Sequence, residues 1–212
     1  MKAGIFARRV AFAFSSVALV PPVPAPAETL PKLTIERINS EPSLSGTLPS
    51  RLQWHPDGKR LTFLRRSGEA QSLYALDVTK GETTLLLDGA RAQVPGGDKP
   101  RPLPLMAASW LPDGRTLLVP AAGDVYTVDV STGAVRALVK TPEAEEYAEA
   151  SPDGRRVAFL RKSDLYVVDV ATGKETRLTQ GGSDTLLNGR LDWVYAEELN
   201  SRSEQAFAWS SN

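Results

Sequence analysis

The tripeptide Pro-Asp-Gly occurs three times, and each copy is followed by a basic residue and an apolar run. The copies lie at 56–58, 112–114 and 152–154, within QWHPDGKRLTFL, SWLPDGRTLLVP and EASPDGRRVAFL. Pro sets φ at the first central position of a turn, Asp can accept a hydrogen bond from its own backbone, and Gly tolerates positive φ. Because a strand-like segment leads into and out of each copy, we predict three β-hairpin turns.

A second repeated phrase follows each of these turns and reads LYALDVTKG, VYTVDVSTG and LYVVDVATG. In every copy a Tyr precedes an Asp, and a Gly follows that Asp within a few residues. The alternation of apolar and polar residues predicts a strand, and the Gly suits a left-handed position in a short loop. A further strand-like segment leaves each loop, as TTLLL, AVRALV and ETRLT. Each unit therefore predicts four strands joined by short turns.

The spacing of these units is typical of a β-propeller. The three prolines are 56 and 40 residues apart, and four-stranded units of about 40–45 residues are typical of propeller blades. One blade cannot bury both faces, so neighbouring blades must stack. We therefore predict an all-β fold, a partial β-propeller of four-stranded antiparallel blades over residues 51–212. The longer first interval contains DGARAQVPGGDKPRPLPL, whose Pro and Gly residues predict a loop.

The last residues, FAWSSN, resemble the start of another inner strand and turn. The chain therefore holds about three blades plus the start of a further one, whereas propellers typically have about four to eight. We expect it to be a fragment or a truncated product of a longer protein. By itself it would expose a strand edge, which favours aggregation.

The N-terminus has the pattern of a secretory signal peptide. MKAGIFARR carries three positive charges, and VAFAFSSVALV is an apolar run of 11 residues. That run is too short for a membrane span, which needs about 20 residues. Ala25 and Ala27 follow at A-x-A spacing. We predict a signal peptide at 1–27 with cleavage after Ala27, a lead-in segment at 28–50, and a secreted or periplasmic protein. An uncleaved apolar arm is the alternative.

Composition and motifs exclude several kinds of site. The 25 basic and 25 acidic residues balance, which gives no support to nucleic-acid binding, and there is no cysteine for a disulfide, thiolate site or nucleophile. The G-x-S-x-G elbow of hydrolases is missing. We interpret the single histidine, His55, as a solvated turn residue. The acidic segment 143–149 is interpreted as a solvated connector, with a weak cation site as the alternative. We expect no cofactor, no metal site and no membrane span.

The repeat is interrupted at LDWVYAEELNSRSEQ, residues 191–205. Here Trp193 and Tyr195 precede two adjacent carboxylates, Glu197 and Glu198. Residue chemistry favours a solvated helix face, because adjacent helix positions point in different directions. The position between two blades favours a helical insertion on a rim of the propeller. There, paired carboxylates would suit an ammonium group, which has only hydrogen-bond donors.

The segment DWVYAEEL resembles the glutamate motif in the propeller of the dipeptidyl peptidase IV family of prolyl oligopeptidase-type serine exopeptidases. FAWSSN resembles the strand that follows that motif, and LTIERINSEPSLSGTLPSRLQWHPDG resembles the entry into the first blade. The resemblance implies that Glu197 and Glu198 bind the free N-terminus of a peptide, with Asp192, Trp193 and Tyr195 in support. It also implies removal of N-terminal dipeptides of the Xaa-Pro or Xaa-Ala type.

In this family the Ser-Asp-His triad lies in a C-terminal α/β-hydrolase domain, and the resemblance allows a homodimer of the full-length protein. The chain departs from the pattern in three ways. It lacks the hydrolase domain, Ala196 replaces the first of three acidic residues, and TLLVPAAGDVYTVDV supplies no arginine for the substrate carbonyl. We expect the chain to bind peptide without cleaving it. The alternative is a non-enzymatic periplasmic propeller that binds protein partners, like the Tol-system propeller.

Overall fold

The computed structural model describes residues 33–40, 43–44, 48–67, 70–94 and 99–211. The predicted signal peptide and its cleavage site lie outside these residues. The chain divides into two compact units, Met1–Leu44 and Ser45–Asn212. In the first unit, helix α1 (Ile35–Ile38) is capped by Thr34, whose hydroxyl accepts a hydrogen bond from the Arg37 N–H at 3.2 Å.

The second unit contains three four-stranded antiparallel sheets, each with its strands in sequence order. The first blade consists of β1 (Ser50–Trp54), β2 (Arg60–Ser67), β3 (Ala70–Asp77) and β4 (Thr83–Leu87). A small sheet of β5 (Gln93–Val94) and β6 (Arg101–Pro102) follows, then a 3₁₀ turn (Leu105–Ala107). The second blade consists of β7 (Ser109–Trp110), β8 (Thr116–Ala121), β9 (Asp124–Asp129) and β10 (Val135–Val139). The third consists of β11 (Glu146–Ala150), β12 (Arg156–Arg161), β13 (Asp164–Asp169) and β14 (Glu175–Arg177). The predicted partial β-propeller is confirmed.

The three Pro-Asp-Gly segments form the same turn. In each, the N–H of the residue before Pro donates to a carbonyl five residues later, at 2.8–2.9 Å. The Gly takes a φ between 62° and 70°, which an L-residue rarely adopts. In each turn the Asp carboxylate accepts a hydrogen bond from the backbone N–H two residues later. In the first turn this donor is the Lys59 N–H, and it is the main reason that the pKa of Asp57 lies well below its ordinary value. Local turn chemistry therefore fixes the first hairpin of every blade.

Both faces of the second blade are buried, each against a different neighbour. Leu117 and Val119 lie in a cluster with first-blade residues, whereas Leu118 and Val125 lie in a cluster with Phe159 of the third blade. Adjacent strand residues point to opposite faces, so Leu117 and Leu118 enter different cores. This alternation is what allows blades to stack.

The segment between the first and second blades is more than the predicted loop. Its β5 and β6 pair with each other, and Ala92, Leu103 and Leu105 are fully buried in the cluster between the two blades. Pro and Gly correctly predicted a break in the blade pattern. The apolar residues among them contribute to the core because they reach a surface that the first blade alone leaves uncovered.

The interpretation of His55 as a solvated residue is wrong. Its exposed fraction is 5%, and its ring packs edge-on against Trp110 with the centroids 4.7 Å apart. Its Nε2 lies 3.0 Å from the Gly114 carbonyl, and its Nδ1 accepts from the Asp57 N–H at 3.2 Å. The turn of the next blade covers the histidine, so Nε2 contributes to the contact between blades, whereas Nδ1 stabilises the turn to which His55 belongs.

The interpretation of segment 143–149 as a solvated connector is also wrong. The Glu145 side chain is fully buried, and it accepts hydrogen bonds from Arg161 Nε at 3.0 Å and Thr141 Oγ1 at 2.6 Å. Glu146 then begins β11, the inner strand of the third blade. A charge run that pairs with an arginine from the adjacent strand is part of the blade rather than a solvated link.

The inner strand predicted near the C-terminus is not formed within the described residues. Residues 207–209 form no strand there, although the Trp209 indole N–H donates to the Glu149 carbonyl at 3.0 Å. A strand is defined by its ladder of hydrogen bonds to a partner, and no described residue provides that ladder.

Candidate functional site

The interrupting segment forms a short helix, α2 (Trp193–Leu199). Its N-cap is Asp192, whose Oδ1 accepts hydrogen bonds from the N–H groups of Val194 at 3.0 Å and Tyr195 at 3.1 Å. These two donors would otherwise lack a partner in the first helical turn. Of the predicted supporting residues, Asp192 therefore acts by starting the helix that carries the two glutamates.

Helix α2 buries one small residue. Ala196 has an exposed fraction of 5%, whereas Trp193, Tyr195 and Leu199 are all more than half exposed. Ala196 occupies the position where the resemblance placed a further acidic residue, and a charged side chain could not be buried there without a partner. The predicted supporting roles of Trp193 and Tyr195 remain predictions, because both side chains project into solvent.

The two glutamates are both exposed, but their surroundings differ. Glu197 Oε1 lies 3.3 Å from Arg202 Nη2. Glu198 makes no hydrogen bond or ion pair with any residue that the structure describes. Since the Arg202 side chain is itself 80% exposed, its ion pair with Glu197 is weak. The site thus offers one free carboxylate beside one that is loosely paired.

A tight turn after the helix brings Arg202 back towards Glu197. Ser201 and Arg202 adopt φ values of 49° and 67°, and the Arg202 N–H donates to the Ala196 carbonyl at 2.9 Å. The Asn200 amide donates to the carbonyls of Ser203 at 2.8 Å and Gln205 at 3.2 Å. The Arg202 bond satisfies a carbonyl at the helix end, and the Asn200 bonds hold the turn through which the chain leaves α2.

The helix is closed at its base by a pair of short segments, 189–191 and 204–206, called here the stem. Leu191 N–H donates to the Glu204 carbonyl at 2.7 Å, and Ala206 N–H donates to the Gly189 carbonyl at 2.9 Å. Arg190 and Gln205 form an antiparallel bridge between them. The acidic pair therefore lies on a loop whose two ends are held together.

Four side chains that the motif did not reveal hold the stem against the third blade. The Arg190 guanidinium donates to Glu204 Oε2 at 3.0 Å and to Glu146 on β11, and the Tyr147 hydroxyl donates to the same Glu204 oxygen at 3.2 Å. Arg190 also lies over the Tyr147 ring, 5.5 Å from its centroid. Glu146 and Tyr147 come from a remote part of the sequence, so no local pattern could have identified them.

The residues that the structure describes contain no group of three or more His, Cys, Asp or Glu side chains placed to hold a metal ion. Neither α1 nor α2, the α-helices of this part of the chain, is long and apolar enough to cross a bilayer.

Comparison with known families identifies the C-terminal half of the chain. A model described as "Dipeptidyl peptidase IV (DPP IV) N-terminal region" matches residues 111–212. This part of the chain is therefore similar to the dipeptidyl peptidase IV N-terminal region family. The matched span runs from the second Pro-Asp-Gly turn through the third blade and α2, so it includes both glutamates and the whole stem. The resemblance inferred from DWVYAEEL is confirmed.

Solved structures support the fold. The chain is similar to dipeptidyl peptidase 4 from Porphyromonas gingivalis, with a TM-score of 0.56 and 23% identity over 70% of this chain and 22% of that one. The chain thus spans about a fifth of that relative's length. It also matches TolB from Acinetobacter baumannii, with 22% identity over 65% of this chain and 34% of that one, at a TM-score of 0.44. The latter score is too low to support a conclusion about function.

Proposed function

We propose that the chain is the substrate-anchoring portion of a serine dipeptidyl aminopeptidase, in which Glu197 and Glu198 bind the protonated N-terminus of a peptide. The observation that carries the proposal is the exposed pair on α2, inside the matched span, with Glu198 unpaired among the described residues. A free carboxylate on a capped helix is available to a ligand without first breaking an internal contact.

The chemistry of the pair suits an ammonium group. An α-ammonium has three donors and no acceptor, whereas an ionised carboxylate only accepts. Glu198 can accept at once, and Glu197 can do so by sharing or releasing the exposed Arg202. Such charge-assisted hydrogen bonds are shorter and stronger than neutral ones. Because N-acetylation removes the charge, the site should discriminate free from blocked N-termini.

An anchor of this kind would act by fixing the position of the peptide bond that is cleaved. If it holds the N-terminus, the peptide bond after the second residue lies at a set distance from the glutamates, and a neighbouring catalytic group can attack that bond. Under the proposal, that group belongs to a C-terminal α/β-hydrolase domain of the full-length protein, and the products are Xaa-Pro or Xaa-Ala dipeptides. Export directed by residues 1–27, to the periplasm or outside the cell, is part of the same proposal.

The direct test is Glu198→Gln in the full-length protein, assayed with Ala-Pro-p-nitroanilide. Glutamine keeps the shape of the side chain and removes its charge. Hydrogen bonds to charged groups contribute about 1.5–3 kcal/mol, so kcat/KM should fall by roughly 10- to 150-fold. Glu197→Gln should have a smaller effect, because Arg202 already neutralises part of that charge.

The matched control is Glu82→Gln, which alters an exposed glutamate in a turn of the first blade. It should leave kcat/KM unchanged. If Glu198→Gln folds normally and also leaves kcat/KM unchanged, the glutamates do not anchor the substrate. A full-length protein that carries further blades and no hydrolase domain would favour a binding propeller instead.

A further inference from the structure

Helix α2 cannot hold its own orientation. It has seven residues, of which only Ala196 is buried. Isolated helices of fewer than about 12 residues are marginal in water, and a single buried methyl group adds little. The direction in which Glu197 and Glu198 point must therefore be set by the stem and by what holds the stem.

Three side-chain contacts attach the stem to β11. The Tyr147 hydroxyl donates to Glu204, the Gln205 amide donates to Glu149 at 2.5 Å, and one cation lies between two carboxylates. Arg190 bridges Glu204 on the opposite side of the stem and Glu146 on β11. The Arg190 side chain is 22% exposed, and the two glutamates are 43% and 38% exposed, so water screens these pairs only in part. Without the guanidinium, two like charges would face each other with no cation between them.

A bulge in β11 brings a second side chain to the same place. Adjacent residues in a regular strand point to opposite faces, yet Glu146 and Tyr147 both contact the stem. Tyr147 has a φ of +54°, and the pairing of β11 with β12 shifts register between Glu146 and Glu149. A bulge re-aims side chains in this way. Burial and the charge of Glu204 raise the pKa of Tyr147, so its hydroxyl remains a donor to Glu204.

We propose that Arg190 is a positioning residue that orients Glu197 and Glu198 towards a peptide N-terminus by fixing the stem of α2 to β11 through Glu146 and Glu204. The inference rests on the proposed function, because it assigns a purpose to the orientation of the acidic pair. Arg190 does not touch the ligand in this role. Its planar fork bridges two carboxylates at once, which a lysine ammonium does less well.

The test compares the affinities of the full-length protein for Ala-Pro and for N-acetyl-Ala-Pro, measured by calorimetry. Neither compound is long enough for a dipeptide to be removed from it, so both remain intact during the measurement. The ratio of the affinity for Ala-Pro to the affinity for N-acetyl-Ala-Pro reports ammonium recognition alone. Arg190→Met should lower this ratio by about 10- to 100-fold, because small misplacements of a binding group are costly. Arg190→Lys should recover part of the loss.

Hydrogen exchange provides the second readout. Arg190→Met should speed amide exchange across residues 192–203 while β12 and β13 remain protected. The matched control is Arg155→Met, an arginine of the same blade whose side chain is 84% exposed, and it should change neither readout. If Arg190→Met does not fold, Glu146→Gln weakens the same bridge from the blade side and should lower the ratio by a smaller factor.

The outcomes separate the two proposals. If Glu198→Gln lowers the ratio but Arg190→Met and Glu146→Gln do not, the positioning role is wrong and the anchor stands. Faster exchange at 192–203 with an unchanged ratio also overturns the positioning role. If Glu198→Gln itself leaves the ratio unchanged, the anchor fails and the positioning role fails with it. Equal loss of affinity for both dipeptides would show general damage, which contradicts the inference.

Discussion

At the scale of single residues, Asp164 shows how the segment leading to the stem is secured. Its carboxylate, buried at the start of β13, accepts hydrogen bonds from Arg177, Thr179 and Asn188 and from the Gly182 N–H. Burial by itself raises the pKa of this carboxyl, but the four donors outweigh burial and hold the pKa at about 2. The ionised form therefore ties the loop after β14 to the third blade.

This shift predicts acid sensitivity. Because the folded-state pKa lies below the ordinary value of 3.8, Asp164 stabilises the fold at higher pH, and its contribution is lost as the pH falls from about 4 through about 2. Asp164→Asn should be less stable at pH 6 and should show a flatter loss of stability below pH 4. Urea unfolding between pH 6 and pH 2 measures both, with Asp184→Asn on the exposed loop as the control. Parallel pH profiles for Asp164→Asn and the unaltered protein would contradict this prediction.

At the scale of elements, α2 depends on its cap and stem more than on its packing. Helix propensity cannot sustain seven residues, and Trp193, Tyr195 and Leu199, each more than half exposed, contribute little burial. The order of the helix therefore comes from hydrogen bonds at its two ends. The segment is organised so that a small, exposed element can still present a defined pair of charges.

Removal of the cap tests this account. Asp192→Ala should cost the helix about 1 kcal/mol and speed amide exchange at residues 193–199, since the Val194 and Tyr195 N–H groups lose their acceptor. Global stability should hardly change, because the helix buries so little. Hydrogen exchange with mass spectrometry measures the local effect, and Asp184→Ala is the control outside the helix. Unchanged exchange at 193–199 would show that the cap is not needed.

At the scale of the whole molecule, contacts between successive Pro-Asp-Gly turns align the blades of the second unit. Gly114 lies against the His55 ring, and Gly154 lies against the Pro112 ring, so each turn is packed on the turn before it. A Cβ at Gly154 would lie 2.8 Å from Pro112 Cδ, whereas a Cβ at Gly58 would meet nothing within 4 Å. The same tripeptide therefore has different neighbours in different blades.

Two matched substitutions measure the contact between blades. Gly58→Ala and Gly154→Ala both force an alanine into positive φ, at 66° and 70°, which costs about 1–2 kcal/mol. Gly154→Ala should cost about 1–3 kcal/mol more, because the Pro112 ring must move. Chemical unfolding of both variants checks the difference. Equal losses of stability would show that the second and third blades are not packed as described.

The turn chemistry of Pro-Asp-Gly and of the Asp-to-Gly loops sufficed to predict the four-stranded blades, because both depend on the φ values of a few adjacent residues. The helix at 193–199 was predictable for the same local reason, with Asp192 before it as a cap. The residue types of Glu197 and Glu198 alone favoured a solvated helix face. The position of the segment between two blades and the family resemblance suggested a cation site, and the different pairing of the two glutamates did not follow from the sequence.

The rest was decided by contacts between segments that are distant along the chain. Glu145 looked solvated and is buried, because Arg161 reaches it from the neighbouring strand, and His55 is covered by the turn of the next blade. The contacts of Arg190 with Glu146 and of Tyr147 with Glu204 likewise join residues 44 and 57 positions apart. The sequence alone determined the local backbone conformations, and hence the blades and the helix. Only the tertiary structure decided which charges are buried, paired or free, because that depends on which segments packing brings together.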